Sequence, residues 1–236
     1  MPVSLVTGAS GGIGRAICLR LLQDGHNVIA HYNSADVRFI GDFAGHTASV
    51  FPVKADLRNN AEIEQLSKLV ETRCGYVDHV ISAAGAAADG LIINYPESTW
   101  DEVIDINLSG CFRVIRAMLP LLIKANGGHI ITISSLSAVK GTPGQCAYSA
   151  SKSALLGLTY SLAKELSPHN IRVNAVMPGY IGTTMGLANP RALERAKSDS
   201  VLDTLSDAEE AAGLVLFILS TKTVTGQVFT LDSRLI

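Results

Sequence analysis

Short β-branched apolar runs alternate with longer helical patterns along the 236-residue chain, and the runs are apolar almost throughout. Those two observations predict an α/β protein: a doubly wound parallel sheet of about seven strands, buried by helices on both faces. Composition is the third. At 47% hydrophobic against 17% charged residues, the chain can fill one large core and lies far from disordered compositions. No repeat, low-complexity tract or Pro/Ser-rich linker divides it, so residues 1–236 read as a single domain.

The strands are expected at 4–7, 27–32, 49–53, 79–82, 129–134, 172–176 and 227–231, each a short run bounded by turn residues. Helices are expected at 12–23, 60–73, 100–125, 147–166 and 206–219. Ser206 and Glu209 have the spacing of a capping box. Pro168 should stop the fourth of these helices, and Pro120 should kink or interrupt the third. The polar segment 180–204 is long for a connection and reads as a lid over a site.

Lys and Arg (19) nearly balance Asp and Glu (21), which argues against nucleic acid as a main partner. The start shows no signal peptide, and the longest apolar stretch, 211–219, is too short to cross a bilayer. Cys18, Cys74, Cys111 and Cys146 are scattered, without C-x-x-C or paired histidines. Reduced thiols in a cytoplasmic protein, with no metal site and no membrane partner, are the expectation.

Gly8, Gly12 and Gly14 give G-x-x-x-G-x-G between the first strand and first helix. Residues without Cβ let backbone N–H groups approach a pyrophosphate at the helix N-terminus, and the first βα junction of an open sheet is where dinucleotides bind. The second strand ends Ala30-His31-Tyr32-Asn33-Ser34, with no acid before Asp36. Without a carboxylate for the ribose 2′-OH the site tolerates a 2′-phosphate, which Asn33 and Ser34 could hydrogen-bond; NADP(H) is favoured over NAD(H). Arg15 and Arg38 are candidate counter-charges with no assigned place. Asp56 is either an acceptor for the adenine amino group or an ordinary helix N-cap.

Ser135 lies at the end of the fifth strand, and Tyr148 and Lys152 stand at i and i+4 near the start of a helix, on one face with Cβ atoms about 5–6 Å apart. An ammonium about 5 Å from the phenol, at an effective dielectric of ~20, favours the phenolate by roughly 3 kcal/mol. That would draw the tyrosine pKa about 2 below its reference near 10, making Tyr148 a usable acid at neutral pH. Cys146 reads as a packing residue rather than a nucleophile, His31 and His129 as strand-end residues, and Leu155, Leu158 and Leu162 as core or helix-interface residues.

With these residues in view, the chain resembles the short-chain dehydrogenase/reductase family along essentially its whole length. The matches are Thr7-Gly8-Ala9-Ser10-Gly11-Gly12-Ile13-Gly14, Asp56, Ala83-Ala84-Gly85, Asn107, Ser135, Tyr148, Lys152 and Pro178-Gly179 with Thr183. The resemblance implies a Rossmann-like fold and a nicotinamide-dependent oxidoreductase with Ser135, Tyr148 and Lys152 catalytic and Asn107 completing a tetrad through an ordered water. In the reducing direction hydride would pass to a substrate carbonyl carbon, Tyr148 would protonate the oxygen, and Lys152 would also hold the nicotinamide ribose. It further implies cofactor contacts from Gly8, Ser10, Gly12, Ile13, Gly14, Asn33, Ser34, Asp56, Leu57, Ala84, Gly85, Pro178, Gly179, Ile181 and Thr183.

Within the family the context Asn107-Leu108-Ser109-Gly110, the compact length and Gly226-Gln227-Val228-Phe229 are most like the 3-oxoacyl-[acyl-carrier-protein] reductases. That implies NADPH-dependent reduction of a 3-oxoacyl thioester, on acyl carrier protein or coenzyme A, in fatty acid biosynthesis by a cytoplasmic homotetramer. Another ketone or secondary alcohol (a polyketide, a quinone) and a non-catalytic NADP(H)-binding protein are the alternatives. Four places depart from the family pattern. Ser82 replaces an asparagine, Gly11 a frequent basic residue, and Asp232-Ser233-Arg234 the common Asp-Gly-Gly. Asn126 and His169 stand where carrier-docking cations are expected, with Lys124 and Arg172 nearby.

Overall fold

Seven parallel strands form one sheet in the order β3-β2-β1-β4-β5-β6-β7: β1 (Val3–Thr7), β2 (Asn27–Tyr32), β3 (Val50–Lys54), β4 (His79–Ser82), β5 (Gly128–Ile133), β6 (Ile171–Pro178) and β7 (Val228–Leu231). These come from a computed structural model that describes residues 1–34, 37–45, 49–183, 186 and 190–234. The architecture is the α/β, Rossmann-like one expected, and each strand lies within two residues of its predicted bounds. Strand order reverses between β1 and β4, which opens a crevice at their carboxyl ends.

Alternate residues of each strand enter two different cores, because successive side chains point to opposite faces. Leu5, Ile29, Val80 and Ile130 pack with α2 (Asn60–Cys74), α4 (Gly110–Lys124) and α6 (Cys146–Glu165). Val6, Val28, Ile81 and Ile131 pack with α1 (Gly12–Gln23) and a last helix, α8 (Ala208–Ser220). Both faces are therefore dry, which explains why the strands read as continuous apolar runs.

Three local expectations are corrected. The long helix expected at 100–125 begins earlier and is not interrupted at Pro120, which lies inside α4. The irregularity sits upstream, where α3 (Glu97–Ile104) passes into a π-helical turn, Asp105–Ser109, before α4. This helix is long and apolar enough to cross a membrane by length and composition, but Val114, Met118 and Leu122 are fully buried against the sheet. The α8 cap falls one residue later than predicted: Asp207 accepts from the Glu210 amide at 2.8 Å and Glu210 accepts from the Asp207 amide at 3.1 Å. Two boxes overlap in this sequence, and the one with a carboxylate cap complements the positive end of the helix. The predicted stop at Pro168 is found, with α6 ending at Glu165.

The segment 180–204 is not a bare loop. It holds α7 (Pro190–Ser198), between α5 (Ser137–Lys140) and α6 on one side of the chain order and α8 on the other; residues 184, 185 and 187–189 of it lie outside the described residues.

Candidate active site

The glycine turn lies at the switch point. Gly8 has a left-handed backbone (φ +68°), and a Cβ there would stand 2.7 Å from the Ala84 Cα, so the exits of β1 and β4 touch. Thr7 fixes that contact: its hydroxyl accepts from the Ala83 and Ala84 amides, both at 3.1 Å. A Cβ on Gly14 would lie 2.2 Å from the Gly8 carbonyl oxygen, and one on Gly12 would lie 2.3 Å from Thr183 Cγ2. Three glycines thus leave backbone bare at a helix N-terminus, and Thr183, from the segment after β6, forms the opposing wall. A turn packed this closely, possible only without Cβ atoms, keeps its backbone amides at the N-terminus of α1 and fits a dinucleotide pyrophosphate. Ser10 and Ile13 belong to the same turn, and Ile181 is buried beside Thr183.

His31 braces the turn, a role the sequence reading does not give it. Its Nε2–H donates to the Ala55 carbonyl at 2.9 Å, leaving Nδ1 to accept the Gly8 amide at 3.3 Å, while the Ala9 amide donates to the His31 carbonyl at 2.9 Å. The ring is buried, and burial holds its pKa below the ordinary histidine value. Asn33 and Ser34 are exposed just beyond β2. Arg15 pairs with Asp42 at 3.2 Å; Asp36 and the Arg38 side chain lie outside the described residues.

Asp56 is not the N-cap of α2, one of the two readings the sequence left open. Asn59 caps that helix by accepting from the Ala61 amide at 3.0 Å. Asp56 instead takes Arg58 on both oxygens, from Nε at 3.0 and 3.1 Å and from Nη2 at 2.7 Å. The Arg58 hydrogen bonds hold its carboxyl below the usual carboxylate range. The neighbouring Leu57 is buried, and its carbonyl accepts from Arg113.

The four candidate catalytic residues converge at the ends of β4 and β5. Ser135 follows β5; its hydroxyl accepts from the Ser137 amide at 3.2 Å and lies near enough to the Tyr148 phenol to lower its pKa. Lys152 is buried one helical turn beyond Tyr148, with Nζ donating to the Ile133 carbonyl at 2.8 Å and standing 5.7 Å from the Tyr148 ring centroid. Asn107 sits in the π turn, an irregularity that recurs at functional sites. Its Oδ1 accepts the Ala86 amide at 2.7 Å, and its Nδ2 donates to the Ala86 carbonyl at 2.9 Å and to Ser151 Oγ at 3.0 Å. A Cβ on Gly85 would lie 3.3 Å from both Asn107 Oδ1 and Lys152 Nζ, so Gly85 is the residue that lets the β4 exit close over this group.

The electrostatic expectation is corrected. Burial pushes the Tyr148 phenol above its ordinary pKa, more than the nearby Ser135 hydroxyl lowers it, and Asp89 adds to the rise. Burial also lowers the Lys152 ammonium to about 8, against a smaller opposing effect of Cys111. A lowered phenol needs a fully charged amine in a half-solvated site. Here desolvation acts on both groups, and the amine is directed at a carbonyl. Tyr148 therefore keeps its proton through neutral pH.

A bare-backbone cradle facing a proton-bearing phenol defines the class: the chain is an NAD(P)-dependent oxidoreductase. More narrowly, it belongs to the short-chain dehydrogenase family, whose model, described as short chain dehydrogenase, matches residues 2–193. It is similar to the 3-oxoacyl-[acyl-carrier-protein] reductase FabG of Thermotoga maritima, 37% identical over 239 aligned positions that cover 99% of this chain and 97% of the relative. The 3-oxoacyl-[acyl-carrier-protein] reductase of Synechocystis is 33% identical over 99% of this chain and 96% of its own. FabG of Staphylococcus aureus is 35% identical over 95% and 94%.

Proposed function

We propose that the protein reduces a 3-oxoacyl thioester, carried on acyl carrier protein or coenzyme A, to the 3-hydroxyacyl product with NADPH. The placing of Tyr148 beside Ser135, with the buried Lys152 Nζ 5.7 Å from its ring, carries this reading, and the relatives named for this reaction give it its substrate. Asn33 and Ser34, with no described acid beside them, favour NADPH over NADH.

The bound nicotinamide supplies the hydride that reduces the carbonyl carbon. Ser135 holds the carbonyl oxygen, and Tyr148, protonated because its burial disfavours the phenolate, gives that oxygen its proton. Lys152 hydrogen-bonds the nicotinamide ribose, a role its buried Nζ serves better charged than neutral. Asn107 holds the Ala86 backbone in place over Lys152. Gly8, Ser10, Gly12, Ile13 and Gly14 bind the pyrophosphate. Asp56, Leu57, Ala84 and Gly85 line the adenosine and ribose side; Pro178, Gly179, Ile181 and Thr183 line the nicotinamide side, and 180–204 is the lid. The enzyme works in the cytoplasm, where its four unpaired cysteines stay reduced, and as a homotetramer. Lys124 closes α4 and Arg172 lies near the start of β6, both at the opposite edge of the sheet from the crevice, so they do not place a carrier protein at this copy's own crevice.

The test is Tyr148→Phe assayed with an acetoacetyl thioester and NADPH. We expect kcat to fall about 10²-fold or more with NADPH binding by fluorescence titration nearly unchanged. Undiminished turnover would falsify the mechanism. Normal turnover by the unaltered protein of simple ketones but not thioesters would move the substrate to another carbonyl compound.

A further inference from the structure

Three consecutive residues leaving β7 are bonded to the segment that leaves β6. Asp232 and Arg234 form an enclosed ion pair, their side chains only 4% and 14% exposed. The Asp232 carboxylate accepts from the Arg234 amide at 2.6 Å, from Nε at 2.9 and 3.0 Å, and from Nη2 at 2.5 Å. Against its burial, Arg234 and then the nearby Tyr180 backbone lower the pKa of this carboxylate. A Cβ on Gly179 would stand 1.3 Å from Asp232 Oδ2; the carboxylate occupies the space that any side chain at 179 would need. Between the paired residues, the Ser233 hydroxyl donates to the Thr204 carbonyl at 3.0 Å and its carbonyl accepts from the Val201 amide at 3.2 Å.

We propose that Asp232, with Arg234 as its counter-charge, is a positioning residue for the reaction: it sets the Gly179–Tyr180 backbone, while Ser233 ties the 200–204 turn to the same anchor. The inference rests on the reading of Pro178–Thr183 as the nicotinamide-side wall. An enclosed ion pair adds little to stability compared with apolar residues of the same size, since desolvating both charges offsets their attraction. What a guanidinium fork on a carboxylate does supply is one geometry. That geometry reaches the chemistry in few steps. The Gly179 amide donates to the Leu231 carbonyl at 2.9 Å, and the Pro178 carbonyl accepts from the Leu136 amide at 2.8 Å, one residue past Ser135. Two residues beyond Ile181, Thr183 meets Gly12. A glycine at 234, without the fork, would leave the carboxylate free to turn and the backbone at 179–180 free to follow.

The test is hydrogen–deuterium exchange of the full chain without cofactor, comparing the unaltered protein with Asp232→Asn and Arg234→Ala. Amides in 179–183 and 200–204 should exchange about tenfold faster or more in both variants, with the strand amides of β1, β4 and β5 unchanged. The Kd for NADPH, from fluorescence titration, should rise about tenfold, and the cofactor KM should rise by more than kcat falls. Arg234→Lys, which keeps the charge without the fork, should be intermediate. Unchanged exchange in 179–183, or one uniform acceleration over the whole chain, overturns the proposal. If Asp232→Asn fails to fold, Arg234→Ala still has the carboxylate and reads the same peptides. Exchange and NADPH titration need no thioester, so they decide this inference whether or not the proposed substrate is correct.

Discussion

His31 shows how a residue can matter to a site without facing it. Its neutral ring offers one donor and one acceptor, and both are used: Nε2–H on the Ala55 carbonyl, Nδ1 on the Gly8 amide. Gly8 must keep its left-handed backbone while Gly14 crowds its carbonyl oxygen, so an amide fixed from behind keeps the cradle in shape. His31→Phe retains an apolar ring and removes both bonds. A buried group left without its partner costs roughly 1–3 kcal/mol, and we expect a loss of that order in urea denaturation together with a several-fold weaker Kd for NADPH. If stability falls but the Kd does not move, the brace serves the fold alone. The glycine spacing and the Tyr148–Lys152 pair were legible because their chemistry is written in local sequence. His31 was not, because its partners lie just beyond two other strands, β1 and β3, whose registers against β2 only the folded sheet defines. The tyrosine's raised pKa was equally hidden: spacing reports how near a cation stands, whereas burial depends on everything packed around both groups.

At the scale of elements, strand positions followed from composition because parallel strands buried on both faces carry an unmistakable apolar run. Helix interiors were harder. The π turn at Asp105–Ser109 has no turn residue to announce it, and Pro120 is accommodated within α4. The outer surfaces of α4 and α6 carry the next consequence. Phe112 and Tyr160 are 46% and 48% exposed, and a groove of about 420 Å³ between the helices is lined by Leu108, Ser109, Phe112, Arg113 and Leu158. Large exposed aromatics beside an apolar groove mark an association surface, and the proposed homotetramer would pair it with a second copy of the same helix pair across a two-fold axis. Light scattering should give twice the 24.9 kDa chain mass from this contact alone and four times it for the proposed homotetramer, and Phe112→Glu should lower it by burying a charge at the contact. A mass of one chain for the unaltered protein contradicts the assembly.

The whole molecule divides its polar groups between two ends. The carboxyl edge of the sheet holds the crevice; the amino edge holds a buried run of imidazoles. Ser4 Oγ is hydrogen-bonded to His26 Nδ1 at 2.8 Å and His79 Nδ1 at 3.0 Å, and the His79 ring lies 5.2 Å from that of His26 and 5.8 Å from that of His129. Burial lowers all three: His79 to about 3, helped by its two neighbours, His129 to about 4, helped by Arg172, and His26 by a smaller margin because Asp24 opposes it. A folded state that refuses protons the unfolded chain accepts loses stability as pH falls. Each such histidine contributes fully above the unfolded value near 6.5, and its contribution declines by up to about 1.4 kcal/mol per pH unit until the folded pKa is reached. Urea denaturation should therefore give an unfolding free energy that is nearly flat around pH 7, below the range where Lys152 titrates, and falls steeply between pH 6.5 and 5. Carboxylates remain ionised across most of that interval, so the slope belongs to the histidines. His79→Gln, which keeps a hydrogen-bonding side chain that cannot be protonated, should flatten it. A wild-type curve already flat from pH 7 to 5 would mean that these rings are not held neutral by the fold.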